Sequence, residues 1–273
     1  MADKFIIAGT PEEAVGSKSK DNVYMAGGTE VMRLGSSVSA DSFVSLRRIP
    51  EMHIIETDGN TVSAGASCTF QELLQSDLIP GYLKEALLFM ASRTRRNMAT
   101  IGGNIAVCRD DSFLIPTLIA VSASLRLSGP QGSCAVTVRD YVTEKGKYED
   151  MLIISVSFPA EGVIVRSYRS ANTAQSHARL TASLAFADGK YTACAAVKNS
   201  GIYMADDLAN ELGSRGMSED EIVEFVKQKK DIHLEDDLIY GSAAYRSYLT
   251  GISFALMYAE INSEINKEGG SVR

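Results

Sequence analysis

Short apolar runs bounded by glycine, proline or aspartate dominate the chain, and a long helical period takes over only near its C-terminal end. Over 5–31 the pattern reads strand, helix, strand. Thr10-Pro11-Glu12-Glu13-Ala14 predicts the helix start, with Thr10 as cap, proline at the first position and acids in the first turn. An apolar run at 23–26 feeds Gly27-Gly28, and 42–46 reads as another short strand. Segments 53–57 and 61–65 flank Asp58-Gly59-Asn60, a hairpin signal. Thr69-Phe70-Gln71-Glu72 has capping-box spacing and opens a short helix. Leu83, Leu87 and Met90 or Ala91 recur at helical spacing and predict a longer helix over 81–93. A buried helix is expected at 115–121, strands at 125–127 and 135–138, and a last apolar strand at 152–158, ended by Pro159.

The pattern restarts near Ala160-Glu161-Gly162, which places a domain boundary there. Segments 163–168, 180–187 and 190–197 read as antiparallel strands, the last two joined at Asp188-Gly189. Ser218 caps a helix with Glu219, Asp220 and Glu221 in its first turn and Lys227, Lys229 and Lys230 at its end, the charge order a helix dipole favours. From Ser242 a long helix carries Tyr245, Leu249, Ile252 and Leu256 on one stripe, a face for packing on the second sheet. Strands and helices are mixed without strict βαβ alternation, so the fold class is α+β.

Two glycine segments stand out against this pattern: Ala26-Gly27-Gly28-Thr29-Glu30 and Thr100-Ile101-Gly102-Gly103-Asn104. Paired glycines let successive backbone N–H groups converge on an anion, because no Cβ blocks positive φ or the ligand's approach. Thr29, Thr100 and Asn104 add side-chain donors. Either pair alone is consistent with ordinary turns. Together they point to a pyrophosphate gripped from both sides.

Composition narrows the partners. The chain has 273 residues, 27 basic and 34 acidic, for a net charge of −7, which argues against a nucleic-acid partner. Its hydrophobic content of 45% is that of an ordinary globular protein. No signal-peptide core and no apolar run of bilayer length is visible, so a cytoplasmic protein without a membrane partner is expected. Cys68, Cys108, Cys134 and Cys194 form no C-x-x-C pair, and His53, His177 and His233 are isolated. No metal site or iron–sulfur cluster is expected on this chain, and the cysteines read as reduced thiols. No acid–base pair marks a catalytic centre either.

Taken in order, Ala26-Gly27-Gly28-Thr29, then Ser63-Ala64-Gly65-Ala66-Ser67-Cys68-Thr69, then Arg96-Asn97-Met98-Ala99-Thr100-Ile101-Gly102-Gly103-Asn104-Ile105-Ala106 resemble the FAD-binding subunit of the molybdenum hydroxylases. That family includes the xanthine dehydrogenase flavin subunit and the carbon monoxide dehydrogenase medium subunit. Ser242-Ala243-Ala244-Tyr245-Arg246 extends the likeness to the C-terminal region. The resemblance implies a two-part α+β FAD-binding domain of the vanillyl-alcohol-oxidase type over 1–160, with subdomains near 1–50 and 51–160. A smaller C-terminal α/β domain with an antiparallel sheet would follow over 161–273.

The resemblance also implies that Tyr24, Met25, Ala26, Gly27, Gly28, Thr29, Glu30 and Val31 wrap the FAD pyrophosphate and ribityl chain. Thr100, Ile101, Gly102, Gly103 and Asn104 would approach the same diphosphate from the opposite side. Electrons would arrive from iron–sulfur clusters of a 2Fe-2S small subunit, fed by a molybdopterin-binding large subunit, and leave to NAD or another acceptor. Two stretches depart from the family. Phe113 stands where relatives carry an aspartate near the flavin, leaving Asp110 and Asp111 as its substitutes. Arg169, Asn172 and Thr173 stand where relatives carry a basic residue and a D-x-A arrangement. The rival to an electron-transfer subunit is a scaffold that keeps the fold without FAD.

Overall fold

The computed structural model describes residues 4–33, 40–229 and 234–270. Lys230 and His233, both singled out above, lie outside them. The chain forms two compact units, one from 1–80, 92–108 and 122–161, the other from 81–91, 109–121 and 162–273.

In the first unit, β1 (Lys4–Ile7), α1 (Pro11–Gly16) and β2 (Asn22–Met25) make the expected strand–helix–strand start. The Thr10 side chain caps α1, accepting from the Glu13 N–H at 3.2 Å. β3 (Ser42–Ser45) lies between β1 and β2, parallel to both. β4 (Ile55–Thr57) and β5 (Thr61–Gly65) form the hairpin. In its turn Asp58 Oδ1 accepts from the Thr61 and Asn60 N–H groups at 2.8 and 3.0 Å, which holds that carboxyl below its ordinary range. α2 (Phe70–Gln75) opens with the complete Thr69–Glu72 capping box.

The helix expected over 81–93 is divided. α3 (Gly81–Leu88) belongs to the second unit, whereas α4 (Arg93–Arg96) is a fresh turn in the first. The break has a local cause: Ser92 caps α4 by accepting from the Arg95 N–H at 3.4 Å. The second glycine segment opens a helix, α5 (Ile101–Val107). α6 (Ile115–Ala120) returns to the second unit. The first unit then closes with β6 (Ser124–Gly129), β7 (Gly132–Thr137), α7 (Val138–Thr143) and β8 (Leu152–Pro159). Its larger sheet is antiparallel in the order β4-β5-β8-β6-β7. Val62, Ala64, Leu125, Val156 and Phe158 are buried, while the alternate positions Ser63, Ser124, Ser155 and Ser157 make the opposite face polar.

The second unit is built on the antiparallel sheet β12-β11-β10-β9, from β9 (Ile164–Ser170), β10 (Leu180–Ala187), β11 (Lys190–Val197) and β12 (Gly201–Met204). Asp188 and Gly189 take φ of 50° and 74°, the conformation a two-residue hairpin turn requires. α8 (Asp206–Ser214), α9 (Glu219–Gln228) and α10 (Ala243–Gly270) follow, and α9 starts with the complete Ser218–Glu221 capping box. Leu180, Ala182, Leu184, Ala193 and Ala195 join Leu208, Ile222, Phe254 and Ile261 in one core. Full burial of Phe254 contributes about 2–3 kcal/mol. α6, buried along its length, packs on β10 and β11, where Thr117 Oγ1 meets Ser183 Oγ at 2.9 Å and Ser167 Oγ at 3.0 Å.

The stripe expected on α10 meets the core only in part, with Leu249 half-buried against it. Tyr245 and Leu256 are exposed, and the interior side carries Arg246, Thr250, Ser253, Phe254, Met257 and Ile261. The reason is polar. Arg246 is buried because its guanidinium donates to the Lys198 carbonyl, to the Glu235 carbonyl at 3.0 Å and to Ser200 Oγ at 3.0 Å.

Candidate functional site

β2 delivers the chain to the first glycine segment. The Leu46 N–H donates to the Met25 carbonyl at 3.0 Å, and beyond that bond the backbone leaves the sheet at Ala26. Gly27 is there for lack of room: a Cβ on it would lie 1.6 Å from the Met98 carbonyl oxygen. Gly28 has φ +73°, beside the Met25 side chain. The segment then closes into one turn, with the Met32 N–H on the Gly28 carbonyl at 2.9 Å and the Arg33 N–H on the Glu30 carbonyl at 3.1 Å. Arg33 also pairs with the Glu30 carboxylate at 2.8 Å. Among the described residues, the N–H groups of Gly27, Gly28 and Thr29 have no protein acceptor. A positive φ followed by a helical turn, with consecutive unused amides, is the geometry of an anion nest. Thr29 is exposed at its edge, next to Val31 in the same turn.

Tyr24 differs from its neighbours. Its hydroxyl is buried without a partner among the described residues, and burial together with the Asp150 charge pushes it up to about 12. It stays neutral at physiological pH.

The second segment is revised by the structure. Its amides are already used: Ile101 N–H donates to the Cys68 carbonyl at 3.1 Å and Gly102 N–H to the Ala66 carbonyl at 2.9 Å. Gly103 N–H donates to Thr100 Oγ1 at 3.1 Å and Asn104 N–H to the Thr100 carbonyl at 3.0 Å. Gly102 is a close-packing glycine, since a Cβ there would meet Ala66 Cβ at 2.5 Å. The two segments therefore do not form a pair of equivalent nests. The first presents unused amides, and the backbone leading into the second walls it at Met98. A feature the sequence reading missed lies beside them: Ser67 is buried and its hydroxyl has no partner among the described residues.

Asp110 and Asp111 fall in the second unit. Asp111 accepts from Arg109 Nε at 2.7 Å and Nη2 at 3.1 Å, and its Oδ2 lies 2.6 Å from His177 Nδ1. Burial alone would raise its carboxyl, but Arg109, Lys198 and His177 together hold it below the ordinary value. Asp110 takes Lys198 Nζ at 2.6 Å and the Asn199 N–H at 2.7 Å. Both carboxylates are thus engaged by the chain's own donors. Phe113 packs under the Arg169 guanidinium, 5.3 Å from its ring centre, and Arg169 also donates to the Ser176 carbonyl at 2.5 Å.

Among the described residues no group of three or more His, Cys, Asp or Glu side chains is placed to hold a metal ion. No helix among them is long and apolar enough to cross a membrane. Cys68 is buried, which with Glu72 nearby pushes its thiol up to about 11, whereas Cys134 is exposed.

Residues 2–161 match the family described as FAD binding domain in molybdopterin dehydrogenase. The chain belongs to this family. Both glycine segments lie inside the matched region, so the nest at Gly27, Gly28 and Thr29 is part of an FAD-binding domain. The uncharacterized protein YgfM of Escherichia coli K12 is 27% identical over 271 residues, 95% of this chain and 96% of that protein. The carbon monoxide dehydrogenase medium chain of Hydrogenophaga pseudoflava is 30% identical over 158 residues, 54% of this chain and 55% of that one. The fold also matches a Cu,Mo-CO dehydrogenase crystal structure, with a TM-score of 0.80 at 22% identity over 93% of this chain and 95% of that one. Quinoline 2-oxidoreductase from Pseudomonas putida 86 gives a TM-score of 0.80 at 16% identity, over 94% and 95%. At such identities these two likenesses speak for the fold alone. Among these relatives are oxidoreductase subunits, and FAD is the family's cofactor. The first nest fits that cofactor's diphosphate on its own geometry: amides without acceptors, and a backbone contact that admits no Cβ.

Proposed function

We propose that this chain is the FAD-carrying electron-transfer subunit of a molybdenum-containing hydroxylase. It would take electrons from a 2Fe-2S small subunit served by a molybdopterin-binding large subunit, and deliver them to NAD or another acceptor. The observation that carries the reading is the nest of unused amides at Gly27, Gly28 and Thr29, fixed against Met98. Bound FAD supplies the redox chemistry, since the hydride and single-electron steps belong to the cofactor.

The chain's own residues hold and orient it. The amides of Gly27, Gly28 and Thr29 would bind the diphosphate, while Tyr24, Met25, Ala26, Glu30 and Val31 shape the segment that presents them. Thr100 and Asn104 would contribute through side chains, because the backbone amides at 101–104 are committed to Cys68, Ala66 and Thr100. Ile101, Gly102 and Gly103 act by packing α5 closely enough to set that wall. Asp110 and Asp111 would stand in for the aspartate that Phe113 replaces, each already oriented by the chain's own donors, Arg109 and His177 on Asp111 and Lys198 and Asn199 on Asp110.

The test is direct. The purified protein should show a bound flavin absorption band, or acquire one on addition of FAD, with tight stoichiometric binding. A protein that folds but takes up no FAD overturns the proposal. It would favour the scaffold reading, for which Phe113 under Arg169 is the supporting observation.

A further inference from the structure

The polar face of the larger sheet in the first unit carries a cavity of about 530 Å³. None of its lining residues belongs to either glycine segment. Its floor is a grid of serines. Ser63 lies opposite Ser157, Ser157 opposite Ser124, and Ser155 opposite Gly65 and Arg126. Strand geometry spaces these hydroxyls about 5 Å across the sheet and about 7 Å along β8.

Ser155 is only 9% exposed, and among the described residues none of the four serine hydroxyls has a protein partner. Serine packs poorly on a pleated sheet compared with threonine or valine, so sheet stability does not account for four of them on adjoining strands. The charges at the rim are unequal. Glu51 pairs with Arg126 at 2.7 Å, while Glu56 has no cation partner among the described residues. The site is net negative and disfavours an anionic ligand. Ile54, half exposed, adds an apolar flank.

Hydroxyls that both donate and accept, a spare carboxylate acceptor and an apolar edge suit a ligand rich in hydroxyls and without negative charge. We propose that this face binds a neutral polyhydroxylated small molecule, a sugar or sugar-like polyol, on Ser63, Ser124, Ser155 and Ser157, with Glu56 accepting from its hydroxyls.

Saturation-transfer NMR on the full chain with FAD added tests this, using D-ribose, D-glucose and myo-inositol as probes and glucose 6-phosphate as the anionic comparison. At least one neutral probe should bind, glucose 6-phosphate should bind more weakly, and the S155A/S157A double variant should bind at least about tenfold more weakly than wild type. A second variant, S63V/S157V, fills the floor with good strand formers, so its loss of binding is not attributable to unfolding. Flavin uptake and melting temperature, measured in parallel, keep this result separate from the cofactor reading. No binding of any neutral probe at about 50 mM, equal binding by both variants, or tighter binding of the phosphate would overturn the proposal.

Discussion

Gly27→Ala adds one methyl group where the first nest meets the backbone before α5. On the native backbone its Cβ would sit 1.6 Å from the Met98 carbonyl oxygen and 2.6 Å from the carbonyl carbon. Ordinary contact begins at 3.4 Å, so the two segments must part by about 2 Å. Both colliding atoms are backbone, and no side-chain rotamer relieves them. Overpacking of this kind costs about 1–3 kcal/mol. For a chain of this size that lowers the melting temperature by roughly 2–12 °C. The displaced amides lose alignment with the diphosphate, and losing one hydrogen bond to a charged group weakens FAD binding at least about tenfold. Gly28→Ala is the informative companion. Its nearest neighbour would be 3.7 Å away, so only the strain of φ +73° remains, about 1–2 kcal/mol. Gly146, with nothing within 4 Å of an added Cβ, is the neutral control. Thermal melts and titration of flavin-free protein with FAD should rank the losses Gly27→Ala, then Gly28→Ala, then Gly146→Ala. A Gly27→Ala protein with wild-type melting and wild-type FAD affinity would refute both the contact and the nest.

Asp111 titrates below its ordinary value of 3.8 in the folded chain, so its contribution is complete at neutral pH and vanishes as pH falls through that lower value. Asp111→Asn should therefore cost about 3 kcal/mol at pH 7, with the gap to wild type narrowing in acid denaturation series; a gap independent of pH contradicts the ion pairing. Alkylation at pH 8 followed by mass spectrometry should label exposed Cys134 first and Cys68, held at about 11, only on unfolding. Equal labelling rates would mean that Cys68 is not sealed. Arg246→Lys keeps the charge but not the fork that reaches the Lys198 and Glu235 carbonyls and Ser200, and urea denaturation should show a loss of about 2 kcal/mol. An unchanged midpoint would show that those bonds contribute nothing.

The legible parts of the fold were those whose signals are local. Thr69 and Ser218 begin capping boxes that need only four residues to operate, and Asp188-Gly189 adopts the φ values that its two residues favour. What stayed hidden depends on distant partners. The interior side of α10 is set by Arg246 bonding to carbonyls 11 and 48 residues away; the Ser92 cap is local, but the apolar spacing that runs across it masked it. The site divides the same way. The glycine pairs announced close approach, but sequence could not say that Gly102 approaches Ala66 rather than a ligand. The orphaned Ser67 hydroxyl had no signal beyond its place in the Ser63-Ala64-Gly65-Ala66-Ser67-Cys68-Thr69 motif.

The interleaving of the two units has a consequence for synthesis. α6 is made well before the sheet that covers it, and the hydroxyl partners of Thr117, Ser167 and Ser183, come 50 and 66 residues further along. During that interval a helix apolar but for Thr117 leaves the ribosome without its sheet. A fragment stopping at Glu161 would keep α3 and α6 but never make β10 and β11, so a cut at the end of the matched family region yields a chain with unfinished business on its surface. Such a fragment should need a chaperone or precipitate, and FAD binding is better measured on the whole chain than on its nominal FAD domain.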